Sequence, residues 1–366
     1  MNQKRRDFIA GAATSTILAT ASRGTDAAAP SRIRLIATEE AFAPQEYLDA
    51  FLKMTKNVDT PVARYLQIYY QKPEFVQQLT DMEYRLAVMD RYDVDMHLLS
   101  ITGPGVQAFD TELGCDLAVL TNDKLAAIIK KYPSRYAGLA AVAPQSPQRA
   151  AREVKRAMTE LKLNGIIINS HTHGEFLDDP KFWPILEAAV THDATIYLHP
   201  TFPADSMMAP YSKYGMMGAL WGFQAECSLH VVRMILGGVF DQFPTLRIAL
   251  GHLGEGLPYW LSRLDNRYQN ILKRGGLQSL GMKKLSRLPS EYFMTNFYVT
   301  TAGMNSNAPF EYCLNLLGPD RVLFAIDYPY EQTDDATTFI RAARPSPEIM
   351  RKVCYGNAEK LFKIHT

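Results

Sequence analysis

The sequence predicts a (β/α)8 TIM barrel of the α/β class, with the active site at the C-terminal ends of the strands. Eight short apolar runs, many of them β-branched, alternate with segments of helical spacing. No glycine-rich dinucleotide fingerprint follows any run, which disfavours an open doubly wound sheet. Polar side chains close five of the runs, and the ends of parallel barrel strands meet on one face. We therefore expect one site built from Glu39, Asn169, His199, His252 and Asp327.

The eight predicted strands are short enough for buried parallel strands and are separated by segments of helical length. Helical spacing is clear at Leu117, Leu120 and Leu125. Four longer insertions, at 44–80, 170–180, 201–222 and 274–292, are expected to form loops or short helices over the active face. The predicted strands span 33–38, 96–101, 136–142, 165–169, 195–199, 247–251, 297–301 and 322–326.

The composition is that of an ordinary globular protein. The chain has 366 residues, of which 47% are hydrophobic and 21% charged, and this favours one large domain. A formal net charge of +1 provides no field to steer nucleic acid, so we exclude nucleic-acid binding.

The N-terminus has the order of an export signal. Arg5 and Arg6 precede Phe8, a mildly apolar run extends to about Thr20, and alanines follow at 27–29. The run is too short to anchor in a bilayer of about 30 Å. It resembles a twin-arginine signal, the route for folded proteins. We expect residues 1–29 to be the signal, 30–366 the catalytic domain and the location periplasmic; the alternative is a cytoplasmic protein with a disordered basic N-terminus.

The four cysteines are far apart and show no metal-ligand spacing. We expect buried free thiols with no role in the chemistry. They are Cys115, Cys227, Cys313 and Cys354.

Three strand-end residues together suit a divalent cation. Glu39 follows the first run, and of the pair Glu39 and Glu40 we expect Glu39 to point into the barrel mouth. His199 and Asp327 end apolar runs, where a polar group is costly unless it is paired or bound to metal. Taken singly, a carboxylate at a strand end is more often a helix cap or the partner of a basic neighbour, and a lone histidine is more often a core residue with its hydrogen bonds satisfied. Together, one nitrogen and two carboxylates indicate Zn²⁺ or Mn²⁺, with the carboxylates favouring the harder ion.

Two further segments carry candidate site residues. In the stretch at 251–265, His252 follows the sixth strand, and a glycine-rich turn lets Glu255 hold its ring. The alternative is a polar turn with a helix-capping glutamate. The polar loop after the fourth strand contains Asn169 and His171, and His171 is a candidate substrate contact unless the loop histidines are only solvated.

The motifs resemble one known family. They are IATEEAFA at 36–43, INSHTHG at 168–174, YLHP at 197–200, GHLGEGLPYWLSRLD at 251–265 and AIDYPYE at 325–331. These are similar to the amidohydrolase-related family that includes aminocarboxymuconate semialdehyde decarboxylase. Within it the chain most resembles the aromatic acid decarboxylase branch, in particular the 5-carboxyvanillate decarboxylases, with the gamma-resorcylate decarboxylases more distant. The resemblance covers about residues 33–364 and leaves out the signal.

The resemblance implies non-oxidative decarboxylation of a hydroxylated benzoate, a small aromatic carboxylate. It places the metal on Glu39, His199 and Asp327, and it makes Asp327 the donor of a proton to the carbon that bears the carboxyl group. His252 and Glu255 are then placed beside Asp327.

The resemblance also implies substrate contacts and an oligomer. Tyr330 and Asn169 resemble substrate-binding residues. Arg263 matches an arginine that reaches into the neighbouring subunit's pocket, which implies a homodimer or homotetramer.

Two departures shape these expectations. Ala41 stands where the wider superfamily has a second histidine, and Asn169 stands where two-metal members have a lysine; both favour one metal. The branch has a carboxylate-binding arginine after the first strand, but the stretch 69–81 has none. Lys72 or Arg64 are possible replacements, although a lysine lacks the bidentate fork. The substrate is therefore expected to differ from a dicarboxylated or methoxylated benzoate.

Two other functions remain as alternatives. One is a mononuclear hydrolase of a lactone or amide, in which Asp327 is the base for metal-bound water. The other is an exported binding protein without catalysis. Aromatic side chains in the predicted mouth loops can sandwich a ring or only pack together; they are Tyr69, Tyr70, Phe202, Trp221 and Phe223.

Overall fold

Eight parallel strands follow one another in chain order around a barrel in the computed structural model, which describes residues 32–365. Every neighbouring pair from the first strand to the eighth is parallel. The eighth strand region returns to the first, because the Thr38 N–H donates to the Phe324 carbonyl at 3.1 Å and the Asp327 N–H to the Glu39 carbonyl at 3.0 Å. The predicted TIM barrel is confirmed. The strands are β1 (Ile36–Phe42), β2 (Met96–Ile101), β3 (Tyr136–Ala141), β4 (Gly165–Asn169), β5 (Ile196–His199), β6 (Ile248–Leu250), β7 (Phe297–Thr300) and β8 (Val322–Leu323).

Helices connect the strands, as parallel barrel strands require. Those before β4 are α1 (Gln45–Thr55), α2 (Pro61–Tyr70), α3 (Pro73–Thr80), α4 (Met82–Arg91), α5 (Thr111–Lys131) and α6 (Pro147–Thr159). Those between β4 and β7 are α7 (Trp183–Thr191), α8 (Gly222–Leu236), α9 (Val239–Gln242), α10 (His252–Glu255), α11 (Leu257–Lys273) and α12 (Pro289–Asn296). The last are α13 (Asn307–Leu317), α14 (Thr333–Ala342), α15 (Pro347–Arg351) and α16 (Asn357–Phe362), with a π-helical turn at Lys352–Gly356.

Two of the predicted strands, the first and the eighth, have boundaries that are wrong by more than one residue. β1 ends at Phe42 rather than at residue 38, so Glu39 lies inside the strand and not after it. The register with β2 shifts between Ala37 and Glu40, and this irregularity turns the side chains of the segment. β8 has only two residues, because beyond it the Phe324 N–H donates to the Val353 carbonyl at 2.9 Å instead of to a strand.

The first and third insertions contain helical segments. Residues 44–80 contain α1, α2 and α3, and residues 201–222 contain three short 3-10 turns.

All four cysteines are free and buried, as predicted. β4 is buried along its whole length, which explains its run of three isoleucines.

Residues Arg34–Thr366 form one compact unit. The predicted signal at residues 1–29 lies outside the described residues. Within 32–365, no helix is both long and apolar enough to cross a membrane.

Candidate metal centre

Three polar side chains meet at the C-terminal face of the barrel. Glu39, His199 and Asp327 each offer one ligand atom, and these atoms all lie within 4.8 Å of one another. Nε2 of His199 is 3.7 Å from Oε1 of Glu39. The residues come from β1, β5 and the segment after β8, so only barrel closure brings them together.

The Glu39 carboxylate has one hydrogen-bonded oxygen and one oxygen available to a cation. Its Oε2 accepts hydrogen bonds from the hydroxyl groups of Tyr197 and Thr300, the latter at 2.8 Å. Its Oε1 is buried and has no hydrogen-bond partner among the described residues, although Glu39 is only 3% exposed. A buried carboxylate oxygen without a donor is costly, and a bound divalent cation would satisfy it. The residues therefore fit the metal that the sequence predicts.

Gly251 makes room for this carboxylate. A Cβ added at Gly251 would lie 2.5 Å from Oε1 of Glu39, closer than real side chains approach. Any other residue at this position would displace the carboxylate from the metal centre.

His199 and Asp327 have environments suited to metal binding. Burial lowers the pKa of His199, so its imidazole is neutral, as a ligand must be. Burial also raises the pKa of Asp327 to about 7. Asp327 has a φ of 73°, a left-handed conformation that non-glycine residues rarely adopt outside functional sites.

His252 and Glu255 stand beside Asp327. Nδ1 of His252 lies 2.7 Å from Oε1 of Glu255, and Nε2 lies 3.6 Å from Oδ2 of Asp327. Burial alone lowers the pKa of His252, but the carboxylates of Glu255 and Glu39 outweigh it and raise the pKa well above its ordinary value. The turn that carries the pair has positive φ at His252 and Glu255, and α11 begins directly after it with Pro258 in its first turn.

Glu40 supports the backbone around Asp327, a role that the sequence did not predict. It is fully buried, and its two carboxylate oxygens accept the N–H groups of Ile326 at 3.0 Å and Tyr328 at 3.2 Å. These residues flank Asp327, so Glu40 holds the backbone of a candidate ligand. The only available signal was the paired carboxylates themselves. Tyr197 was also missed, although it lies two residues before His199 and so shares its side of β5.

Asn169 is the last residue of β4 and His171 lies in the loop after it, and the two differ in which polar atoms have no partner. The Asn169 N–H donates to Oε1 of Gln107 at 2.6 Å, while its buried Oδ1 has no partner among the described residues. His171 has both ring nitrogens engaged, with Nε2 2.9 Å from the Phe202 carbonyl and Nδ1 accepting the Gly174 N–H at 3.1 Å. Asn169 therefore has a polar atom left for a substrate, and His171 offers mainly its ring face.

Tyr330 belongs to a hydroxyl cluster beside Asp327. Its N–H donates to the Asp327 carbonyl at 2.9 Å, and its hydroxyl lies 2.6 Å from Oγ1 of Thr102 and 3.3 Å from the Tyr70 hydroxyl. Its ring packs against Tyr69 and Phe75 at centroid distances of 5.6 and 5.2 Å. Of the other predicted mouth aromatics, Phe202 and Phe223 contact each other at 5.0 Å, whereas Trp221 is 57% exposed.

Three basic residues lie away from the cluster. Arg263 is on the exposed face of α11, and no hydrogen bond or ion pair joins it to any residue within 32–365. Arg64 pairs with Asp59 and its side chain is 59% exposed. Lys72 is exposed at the start of α3. Arg64 is already paired and Lys72 is exposed, so neither residue is placed to replace the carboxylate-binding arginine that is missing from 69–81.

Comparison with known proteins finds relatives that cover most of this chain. The chain is 32% identical over 339 residues to gamma-resorcylate decarboxylase of Polaromonas sp., covering 90% of this chain and 98% of that one. It is similar in structure to 5-carboxyvanillate decarboxylase from Sphingomonas paucimobilis, with a TM-score of 0.87, 43% identity, and coverage of 91% of this chain and 100% of that one. The 5-carboxyvanillate decarboxylase of Novosphingobium aromaticivorans, solved with manganese and 4-hydroxy-3-methoxy-5-nitrobenzoic acid, has a TM-score of 0.85 and 39% identity, with coverage of 90% and 96%.

The family model described as Amidohydrolase matches residues 76–364, which is most of the chain. With the barrel and the strand-end cluster in place, this chain belongs to the amidohydrolase family.

Proposed function

We propose that this protein is a metal-dependent carboxy-lyase that removes the carboxyl group of a hydroxylated aromatic acid without oxidation. The observation that carries the proposal is the convergence of Glu39, His199 and Asp327 within 4.8 Å, beside the pair of His252 and Glu255. The relatives that share this barrel are named as decarboxylases of aromatic acids.

Glu39, His199 and Asp327 would hold one divalent cation. When bound, such a cation supplies Lewis acidity that orients a carboxylate and a phenolic oxygen and stabilises their negative charge. We infer Mn²⁺, because the ligand set is rich in carboxylate and a solved relative contains manganese; Zn²⁺ is the alternative. One cation is expected, because Ala41 and Asn169 stand where a second metal would need ligands.

Asp327 delivers the proton in this proposal. The ring carbon that bears the carboxyl group takes a proton from the Asp327 carboxyl, and the bond from that carbon to the carboxyl carbon then breaks. The bonding electrons return to the ring, and CO2 leaves. His252, whose Nε2 is 3.6 Å from Oδ2 of Asp327, is placed to return a proton to it, and Glu255 holds the imidazole in position. Tyr330 and Asn169 contact the substrate.

The hydrolase alternative is less favoured. A hydrolase and a decarboxylase would share the metal ligands, but the gamma-resorcylate and 5-carboxyvanillate relatives, which match 90% and 91% of this chain, are named as decarboxylases. A protein without catalysis is also disfavoured, since every proposed ligand is present and brought together.

The test is to incubate the metal-reconstituted protein with hydroxybenzoates and aryl lactones while measuring CO2 release and product mass. Loss of the mass of CO2 from a hydroxybenzoate, abolished in Asp327→Asn, is the expected result. Addition of water to a lactone without CO2 release would replace the proposal with the hydrolase.

We also propose that the enzyme is at least a dimer in which Arg263 enters the neighbouring site. Its exposed guanidinium without a partner in the described chain supports this, as do the neighbouring Tyr259 and Trp260, which are 70% and 51% exposed. Mixing inactive Arg263→Ala and Asp327→Asn subunits should restore activity, because one site of each hybrid has both native residues. If the mixture stays inactive although light scattering shows that hybrids form, Arg263 does not act across the interface.

For residues 1–29 we propose export by the twin-arginine route, supported by Arg5, Arg6 and the apolar run after them. Expression of the full chain in a bacterium should give a periplasmic protein that has lost these residues. Replacing both arginines by lysine should keep the unprocessed chain in the cytoplasm, and a native chain found there unprocessed would contradict the proposal.

A further inference from the structure

A cavity of about 820 Å³ adjoins the candidate metal centre. It lies between α2, the end of α1 and the loops that follow β2, β4 and β5. Thr201 lines it, two residues beyond His199. Pro104 lines it as well, and a Cβ added at the preceding Gly103 would be 3.9 Å from Cε1 of His199. The cavity is therefore next to the imidazole of a proposed metal ligand.

The volume of this cavity is sufficient to hold a substituent of a small-molecule ligand. Pockets for small molecules measure roughly 300–1,000 Å³. Glu39, His199 and Asp327 do not line this cavity, so it is space in addition to the room at the metal itself. A substrate whose carboxylate lies at the metal can extend into it.

The lining is mostly apolar and contains no lysine or arginine among its described residues. Met54, Val62, Leu66, Phe202 and Met208 are among its side chains. A carboxylate placed there would lose its water without gaining a charged partner, which is costly.

The polar groups of the lining do not make the cavity favourable for a carboxylate. Burial lowers the pKa of His171, and both its ring nitrogens already bond to backbone groups, so it is not a free cation. Asp205 is acidic and would repel a second carboxylate. His173 is exposed on its loop, so charge on it would be screened by water.

Building on the proposed function, we propose that this cavity holds an apolar alkyl or aryl substituent of the aromatic acid. The substrate class is then a hydroxybenzoate with an apolar side chain, rather than one with a second carboxylate.

The test compares 2-hydroxybenzoate with derivatives that carry either a butyl group or a carboxyl group at the same ring position. Binding to the metal-loaded protein is measured by calorimetry, and CO2 release is measured in parallel. The butyl derivative should exceed the parent by about tenfold or more in affinity and in kcat/KM, because buried methylene groups are discriminated at this scale. The carboxyl derivative should fall below the parent.

Two variants fill the cavity and guard against a folding failure in either one. Ala108→Phe and Val62→Trp place bulk in the lining, and each should bring the ratio of butyl derivative to parent close to one. The matched control is Val119→Phe, which fills a separate cavity between α5 and α6 and should leave the ratio unchanged.

The outcomes separate this inference from the proposed function. CO2 release without a preference for the butyl derivative, or with a preference for the carboxyl derivative, overturns the inference and leaves the decarboxylase in place. Tighter binding of the butyl derivative that Ala108→Phe abolishes, but no CO2 from any compound, supports the apolar pocket and overturns the proposed reaction.

Discussion

His252, which is partly buried, and Glu255, which is fully buried, form a pair in which Nδ1 of the imidazole lies 2.7 Å from Oε1 of the carboxylate. The other ring nitrogen of His252 faces Asp327 at 3.6 Å. Glu255 thereby fixes the ring orientation and stabilises the imidazolium, while Asp327 is both a neighbour of His252 and one of the proposed metal ligands. In the proposed reaction, metal binding and proton delivery thus both involve Asp327.

Glu255→Gln should lower kcat by roughly 10–100-fold, the usual effect of losing a carboxylate that orients a site histidine. The free energy of unfolding should change little, since Gln has nearly the same shape. Steady-state kinetics and thermal unfolding measure the two effects. The control is Glu112→Gln, whose side chain is 81% exposed. Equal activity in both variants would rule out an orienting role for Glu255.

Asp327→Asn should lose both turnover and metal, because it removes a ligand charge and the proposed proton donor. We expect kcat to fall by about 10³-fold or more and the metal content, measured by mass spectrometry of the elements, to fall with it. Asp320→Asn is the matched control, since Asp320 pairs with Lys352 on the surface. Full metal content with no turnover would assign Asp327 to proton transfer alone.

Removing the metal should abolish activity and lower Tm. Binding to the folded state alone adds about 2.7 kcal/mol to the free energy of unfolding when free metal is 100 times Kd. Tm should therefore rise again as Mn²⁺ is added to the chelated protein. Glu39→Gln should remove this rise, because it converts the unpartnered carboxylate oxygen into a neutral group. A similar Tm rise in that variant would place the cation elsewhere.

Tyr330→Phe should raise KM by about 5–10-fold, the value of one hydrogen bond, with a smaller change in kcat. The reason is that the hydroxyl beside Thr102 at 2.6 Å is lost while the packed ring stays. Tyr132→Phe removes a hydroxyl that bonds Glu83 at the surface and should be neutral. A fall in kcat alone would show that Tyr330 acts on the reaction rather than on binding.

Glu226 should make stability depend on pH. Its Oε1 accepts the Ser170 hydroxyl at 2.7 Å, and burial raises its pKa to about 8 from 4.5. Between these values the folded protein keeps a proton that the unfolded chain has released, so the free energy of unfolding falls as pH rises towards 8. Burial lowers the pKa of the neighbouring His230 to about 3 from 6.5. This histidine makes the free energy of unfolding rise with pH, and the rise is complete above about pH 6.5.

Thermal unfolding of Glu226→Gln and the native protein above about pH 6.5 isolates the glutamate. The Tm of the variant relative to the native protein should rise up to about pH 8 and then stay level, because the variant has no proton to release. A difference that does not vary with pH would mean that Glu226 titrates normally.

The predictions from sequence were most accurate for the strands. Apolar runs such as Gly165–Asn169 and Met96–Ile101 were found with their exact bounds, because a fully buried strand must be apolar along its length. Polar residues at strand ends were equally visible, since an unpaired polar group there would be costly. His199 and Asp327 could thus be predicted as neighbours before any fold was seen.

The tertiary structure alone decided how the side chains around Glu39 are used. The register shift in β1 lets Glu39 face the site while Glu40 holds the backbone on both sides of Asp327. The bond from Thr300 to Glu39 joins residues 261 positions apart. Such contacts arise only when the barrel closes. The hydrophobic period and the polarity of a sequence show which residues end a strand, but not which residues of other strands they will contact.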